Sequence, residues 1–303
     1  MESDFQRDFR GTCLIVGADG LVGSALRSLF ADSGIAVTLT SRRPCAGTVH
    51  LDLRDPNLGG LAGAHHDVAF VCAAVTDMRT CQEDPDGSRL VNVTNTLGVL
   101  RGLAKRGTRS VFLSSSQVFD GETAEPDEDA PTCPKNEYGA QKVAVERAIR
   151  EEGLPVAVLR VTKVMADRPV GVFQGWFEAL LQGKPVHPAT NMALSPVMVS
   201  DVAEAAARLG FARRVGIWHL GSRDAIGYDE AARLMAELQD LPEALVQGQA
   251  LTEEQVPAIY RHRHVTLSCR KLGRELAMPV RQARDVLHQL FSAFGRPVAA
   301  RLT

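Results

Sequence analysis

Apolar residues along the 303-residue chain fall into two spacings that alternate: short continuous runs and rows at helical intervals. Thr12-Cys13-Leu14-Ile15-Val16 is a run rich in strand formers. Two helical rows follow, Leu21, Ala25, Leu29 and Val22, Leu26, Phe30, and Gly34 closes them as a helix stop. Strands are predicted at 37–39, 48–51 and 68–72. The last is unbroken in its hydrophobicity, as a parallel strand buried on both faces requires. A helix is predicted over 88–105, then a strand from Val111, an exposed, acidic and proline-rich loop over 121–134, a helix from Tyr138 and a strand over 156–160. Alternation of this kind implies an α/β chain with a doubly wound parallel sheet.

Regularity weakens after residue 160. Residues 161–196 hold Trp176, Phe177 and several Gly and Pro; Asp201 opens an alanine-rich helix, and Ile217-Trp218-His219-Leu220 is one more strand. Helices are predicted over 228–238 and 280–294. The division expected is a Rossmann domain over 1–160, with 197–224 returning to it. Residues 161–196 and 225–303 then form a smaller, interleaved, mostly helical substrate lobe.

Charge narrows the partners. Lys and Arg number 34 against 36 Asp and Glu, a formal net charge of -2, and no basic stretch is long enough to track nucleic acid. No apolar run approaches a membrane span. The first eight residues mix charges without an apolar core, so no signal peptide is expected and the location expected is cytoplasmic. The six cysteines have no metal-ligand spacing, and Cys13 and Cys72 lie in apolar runs as small hydrophobes. His65-His66 and His262-Arg263-His264 lack a partner set of acids or thiols, so no metal is expected.

The first strand enters Gly17-Ala18-Asp19-Gly20-Leu21-Val22-Gly23, a glycine turn opening a helix. Such a turn lets a pyrophosphate approach backbone N–H groups at the helix start. The Gly-x-x-Gly-x-x-Gly spacing departs from the generic Gly-x-Gly-x-x-Gly, and a tight turn without ligand is the alternative. The second strand ends in Ser41-Arg42-Arg43, where an NAD-binding unit places an acid for the ribose hydroxyls. Two arginines and a serine suit a 2′-phosphate, the alternative being a solvated basic turn. NADP(H) is therefore the preferred cofactor, with NAD(H) as the second choice. Ala73-Ala74, after the 68–72 strand, leave room for a ligand.

Catalytic chemistry is suggested by one stretch. Three hydroxyls, Ser114-Ser115-Ser116, end the strand from Val111, and Tyr138 and Lys142 stand one helical turn apart on one face. A phenol with a pKa of about 10 is a poor acid or base near neutrality, and a nearby ammonium lowers that value. A serine beside the phenol can hold a substrate oxygen, which suits carbonyl–alcohol chemistry. Tyr-x-x-x-Lys by itself also occurs on ordinary helical surfaces; its surroundings raise its weight.

With these motifs the chain resembles the extended short-chain dehydrogenase/reductases, and within them the dTDP-4-dehydrorhamnose reductase branch. The resemblance rests on Gly17, Gly20 and Gly23; on Asp52, Cys72-Ala73-Ala74-Val75-Thr76 and Asn92; on Leu113 to Gly121; and on Pro134 to Lys142 followed by Glu146. Ser195 to Ala203 and Gly216 to Leu220 match two later motifs. The family's hydroxyl residue falls on Ser115. The resemblance implies Ser115, Tyr138 and Lys142 as catalytic. It implies a cofactor held by Gly17, Asp19, Gly20, Leu21, Val22, Gly23, Ser41, Arg42, Arg43, Asp52, Leu53, Cys72, Ala73, Ala74 and Val161, together with Tyr138 and Lys142. Substrate contacts are expected from Thr76, Ser116, Gln117, the 161–196 segment with its Trp176, and Arg223. Where the branch often has Ser-Thr-Asp-Tyr, this chain has Ser114-Ser115-Ser116-Gln117, a departure on the substrate side. The implied activity is reduction of a keto-sugar nucleotide by a cytoplasmic oxidoreductase, with a homodimer left open. An epimerase or dehydratase that retains its cofactor, and a regulatory subunit that only binds nucleotide, are the alternatives.

Overall fold

The computed structural model describes residues 11–31, 33–43, 46–61 and 64–294; the N-terminal stretch read for a signal peptide, Cys45 and residues 295–303 lie outside them. Eleven strands are described: β1 (Thr12–Val16), β2 (Ala36–Ser41), β3 (Val49–His50), β4 (Val68–Val71), β5 (Arg109–Ser115), β6 (Val156–Val161), β7 (Lys163–Met165), β8 (Ala193–Leu194), β9 (Pro196–Met198), β10 (Gly216–Leu220) and β11 (Ile226–Gly227). The α-helices are α1 (Leu21–Phe30), α2 (Met78–Glu83), α3 (Pro85–Arg89), α4 (Thr96–Lys105), α5 (Glu137–Glu151), α6 (Gly171–Leu181), α7 (Val199–Phe211), α8 (Tyr228–Leu238), α9 (Arg270–Leu276) and α10 (Ala283–Ser292).

Seven strands make one sheet in the order β10-β6-β5-β4-β1-β2-β3, all parallel. The continuous apolar runs produce this, since β1, β4 and β6 are buried on both faces and helices must cover both. On one face, Leu26 and Phe30 of α1 and the alanines of α7 pack on Ile15, Phe70 and Leu159. On the other, Leu100 and Leu103 of α4 and Val145 and Ile149 of α5 pack on Leu14, Val71 and Val158. The chain leaves β1 for β2 on one side, and β4 pairs with β1 on the other. This reversal opens a crevice at the carboxyl ends of β1 and β4, the usual ligand position in such sheets.

A second apolar cluster joins Phe173 and Leu180 of α6, Leu234 and Met235 of α8, and Leu287 and Phe291 of α10. α9 departs from the expected division at residue 225. Its Leu272 and Leu276, with Met278, pack into the sheet-side cluster instead.

Three local expectations need correction. The strand expected over 48–51 forms β3 for only two residues. The helix expected over 88–105 starts earlier, at Pro85, and a short helix from Met78 precedes it. Asp77 caps α2 by accepting from Thr80 N–H, and Asp84 caps α3, whose Pro85 sits in the first turn where a missing N–H costs nothing. A wider π-helical turn over Leu90–Asn95 then leads into α4. The loop over 121–134 is not wholly exposed. Gly121 and Pro126 are buried, and their carbonyls accept from the N–H groups of His264 and Ser268. Among the described residues no helix is long and apolar enough to cross a membrane.

Leu100 is fully buried between α4 and the sheet. Leu100→Ala should cost about 2–5 kcal/mol, by lost transfer energy and a residual cavity. Urea unfolding should show a lower midpoint with an unchanged slope.

Candidate active site

The glycine turn after β1 is shaped by close approach. Gly17 has φ +85°, and a Cβ there would sit 2.9 Å from the Cβ of Ala73. A Cβ on Gly23 would lie 2.1 Å from the Gly17 carbonyl oxygen, so α1 can start this close to β1 only with glycine. Thus the turn after β1 meets the small residues after β4, as the sheet reversal dictates. A cleft of about 910 Å³ opens there, within the range of small-molecule sites.

Its cofactor end is lined by Asp19, Gly20, Leu21 and Val22 of the turn, by Arg42 and Arg43, by Asp52 and Leu53, by Cys72, Ala73 and Ala74, and by Val161. Arg42 and Arg43 are exposed at its rim, and Arg43 stands 3.9 Å from Asp19. Arg54, which the sequence reading passed over, also lines the cleft. It donates to Asp52 at 2.6 Å and holds that carboxyl below its usual range. Two expected residues act from outside the cleft. Gly23 packs against the turn itself, and buried Ser41 accepts from the N–H of Arg43 at 3.0 Å, shaping the arginine turn.

Ser115, Tyr138 and Lys142 converge on the cleft wall. The contact is made possible by Gly139, whose missing Cβ would lie 2.1 Å from the Gln117 carbonyl oxygen. Asn136 caps α5 by accepting from Gly139 N–H at 2.8 Å, and its amide donates to Gln117 Oε1 at 2.8 Å. The start of α5 is thereby tied to the turn that follows β5. Tyr138 hydrogen-bonds Ser115, and Ser115 Oγ accepts from Gln117 N–H at 3.2 Å. Lys142 is 3% exposed; its Nζ donates to the Leu113 carbonyl at 2.8 Å and lies 5.5 Å from the Tyr138 ring centroid.

The electrostatics correct one expectation. Lys142 was expected to lower the phenol's pKa, yet burial pushes Tyr138 up. The same burial draws Lys142 down to about 8, against the opposing pull of Glu146. The phenol is thus held protonated at neutral pH, the state a proton donor needs. Cys72 lines the cleft as an inert thiol, pushed up to about 12 by burial.

Asn92 supports the cleft from behind. It accepts from Val75 N–H at 2.8 Å, donates to Val75 O at 2.9 Å and donates to Gln141 Oε1 at 2.7 Å. The π-helical turn delivers this amide to the loop that carries Ala74 and Thr76. Behind β5 lies a buried polar chain. Ser114 Oγ donates to Glu146 at 2.5 Å, Arg160 grips Glu146 with Nη2–Oε2 at 2.6 Å, and Arg160 Nη1 stands 3.2 Å from His219 Nε2.

On the substrate side the cleft takes in Thr76, Ser116 and Gln117, but not Trp176 or Arg223. Trp176 meets Phe173 and Tyr228 edge to face at the border of the second apolar cluster, where its ring is partly buried. Arg223 is exposed and donates to the Val280 carbonyl at 3.3 Å. The wall is completed instead by Lys163, Met192, Tyr228, Tyr260, His262 and His264. Lys163 and Met192 fall in the 161–196 segment expected on this side, whereas no local motif marks Tyr228, Tyr260 and the two histidines as part of the same wall. Among the described residues no group of three or more His, Cys, Asp or Glu is placed to hold a metal ion.

His219 is fully buried, and desolvation with the Arg160 charge depresses it to about 3. Below pH 6.5 the unfolded chain takes up a proton here that the folded chain refuses until about pH 3, so stability falls through that window. Between pH 6.5 and pH 5 this residue should contribute a loss of about 2 kcal/mol. His219→Gln, with no proton to take up, should flatten the difference between urea midpoints at those two pH values.

Residues 11–295 match the family described as the RmlD substrate binding domain. A probable low-salt glycan biosynthesis reductase, Agl14 of Haloferax volcanii, is 28% identical over 92% of this chain and 97% of its own. The dTDP-4-dehydrorhamnose reductase of Mycobacterium tuberculosis is 31% identical over 63% of each chain. The beta subunit of methionine adenosyltransferase 2 from Pongo abelii is 26% identical over 86% of this chain and 80% of its own. Among solved structures, MoeE5 in complex with UDP-glucose and NAD superposes with a TM-score of 0.79 at 26% identity, over 97% of this chain and 100% of that one. A cleft at the sheet reversal, walled by a serine, a tyrosine and a lysine, and a family match over nearly the whole chain lead to one placement: the chain belongs to the RmlD substrate-binding-domain family of extended short-chain dehydrogenase/reductases.

Proposed function

We propose that the protein is an NADP(H)-dependent reductase of a keto-sugar nucleotide. The observation that carries this reading is the convergence of Ser115, Tyr138 and Lys142 on the wall of a cleft whose far end holds the glycine turn and two exposed arginines. The reductases among its relatives and the nucleotide sugar bound by MoeE5 support the substrate class.

The residues present fit the cofactor. The space that Cβ atoms at Gly17 and Gly23 would fill lets the turn lie close to a pyrophosphate, with the first N–H groups of α1 unpaired by the helix. No carboxylate ends β2 to meet a ribose 2′-hydroxyl; Arg42 and Arg43 stand there for a 2′-phosphate. Bound NADPH supplies a hydride to the carbonyl carbon. Tyr138, kept protonated by burial, donates its proton to the carbonyl oxygen as charge develops there. Ser115 donates a hydrogen bond to the same oxygen, stabilising the developing negative charge. Lys142 supplies a cation beside the phenolate that remains and would hold the cofactor ribose with its other N–H donors.

A second reading is favoured by the likeness to a transferase beta subunit: nucleotide binding without turnover, in the service of a partner chain. An NADPH oxidation assay over a panel of keto-sugar nucleotides separates the two. Net consumption establishes the reductase, and its absence with every substrate removes it.

Tyr138→Phe keeps the ring and deletes the proton donor. At least about a hundredfold loss of turnover is expected, with NADPH affinity unchanged. Near-normal turnover would remove Tyr138 from the mechanism.

The arginine turn sets cofactor choice. A charged hydrogen bond contributes roughly 1.5–3 kcal/mol, so NADPH should bind about tenfold to a hundredfold more tightly than NADH. Exposure at the rim favours the lower figure. Arg42→Ala with Arg43→Ala should erase the preference in calorimetric titrations; equal wild-type affinities would mean a solvated turn.

A further inference from the structure

The catalytic reading assigns no work to the polar chain behind β5, although it contains the most deeply buried ion pair described. Arg160 is 2% exposed and Glu146 5% exposed. Such a pair pays a large desolvation cost, and hydrophobic residues of similar volume often serve stability as well. Its position offers another account. Glu146 stands one helical turn after Lys142 on the same buried face of α5. The hydroxyl it accepts belongs to Ser114, the residue before catalytic Ser115 on β5. Arg160 of β6 grips it from the next strand, Phe119 lies 5.0 Å over that guanidinium, and His219 of β10 completes the row.

We propose that Glu146 is a positioning residue for the reduction: it ties the end of β5 to α5 through Ser114 and sets a carboxylate one helical turn from the buried Lys142 ammonium. The proposal rests on the reductase reading for its consequence, but not for its test. Lys142 to the Leu113 carbonyl, Ser114 to Glu146 and Tyr138 to Ser115 join β5 to α5 at this level. The Ser114–Glu146 tie holds the residue before Ser115 independently of the Lys142 bond to Leu113.

The charge argument follows from what surrounds Lys142. Burial works against its ammonium. The titratable groups facing it are Glu146 and Tyr138 on α5, Cys81 on α2 and Cys72 after β4. Tyr138, Cys72 and Cys81 are all pushed up and neutral near pH 7. Glu146 is therefore the carboxylate in this set that favours the cation. Arg160 fixes the carboxylate's position, and neutral His219 adds no charge behind it. Glu128 and Lys271 lie beyond His219, at the far end of the row.

The test reads Lys142 in the full-length protein. Lysine side chains carrying 13C at Cε are titrated by NMR, with the Lys142 signal identified by its loss in Lys142→Met. The wild-type midpoint is expected near 8. Glu146→Gln should lower it by roughly one unit, and Glu146→Asp, which keeps the charge, should restore most of that shift. An unchanged midpoint in folded Glu146→Gln overturns the proposal. Ser114→Ala leaves the ion pair intact and decides the matter should Glu146→Gln not fold. Its amides over 111–116 and 138–146 should exchange with deuterium at least several-fold faster than in the wild type, and unchanged exchange overturns the tie. Both readouts are independent of substrate. A protein that titrates as expected and turns over no keto-sugar nucleotide tells against the reductase, not against Glu146.

Discussion

The site depends on how closely α5 can approach the end of β5. Tyr138 and Lys142 sit at the first turns of that helix, and Ser115 at the last position of the strand. Gly139 removes the one Cβ that would strike the Gln117 carbonyl, and Asn136 caps the helix while binding Gln117. Any bulk at residue 139 would push the phenol away from the serine. The rest of the cleft is arranged around this contact: Asn92 holds the loop after β4 from behind, and the Ser114–Glu146–Arg160 row holds α5 against two strands.

Burial at this contact also sets the charges. Enclosing a phenol and an ammonium raises the first pKa and lowers the second, because each charged form loses its water. The result is a donor that stays protonated near neutrality and a lysine close to its titration range. A lysine near a phenol does not by itself make a phenolate; the outcome turns on which term is larger, and here desolvation exceeds the pairing. The ammonium's hydrogen bond goes to the Leu113 carbonyl, and Nζ stands 5.5 Å from the Tyr138 ring centroid.

Cofactor choice rests on different physics at the other end of the cleft. The arginine turn is exposed, so its attraction for a phosphate is screened by water and salt. Its shape is set by buried Ser41, which accepts from the Arg43 N–H. Arg54 adds a third guanidinium close by, already committed to Asp52. On the proposed reductase reading, specificity there would be carried by exposed charge, whereas the Ser115–Tyr138–Lys142 end is enclosed.

Sequence alone determined what is local. The glycine turn, the unbroken runs of β1 and β4, the missing acid after β2 and the Tyr–Lys pair each lie within a few residues, where backbone geometry and helical spacing act directly. The parallel sheet followed from their alternation. Only the tertiary structure decided what depends on distant segments. Trp176 and Arg223 looked like substrate contacts by residue type, but packing sent one into an apolar cluster and the other to the Val280 carbonyl. The wall they were expected to form comes from Lys163, Met192, Tyr228 and the 260–264 stretch, brought together by strand pairing and loop contacts across up to about a hundred residues. The π-helical turn around Asn92 and the sign of the Tyr138 shift belong with these, because burial is a property of the whole fold and no stretch of sequence carries it.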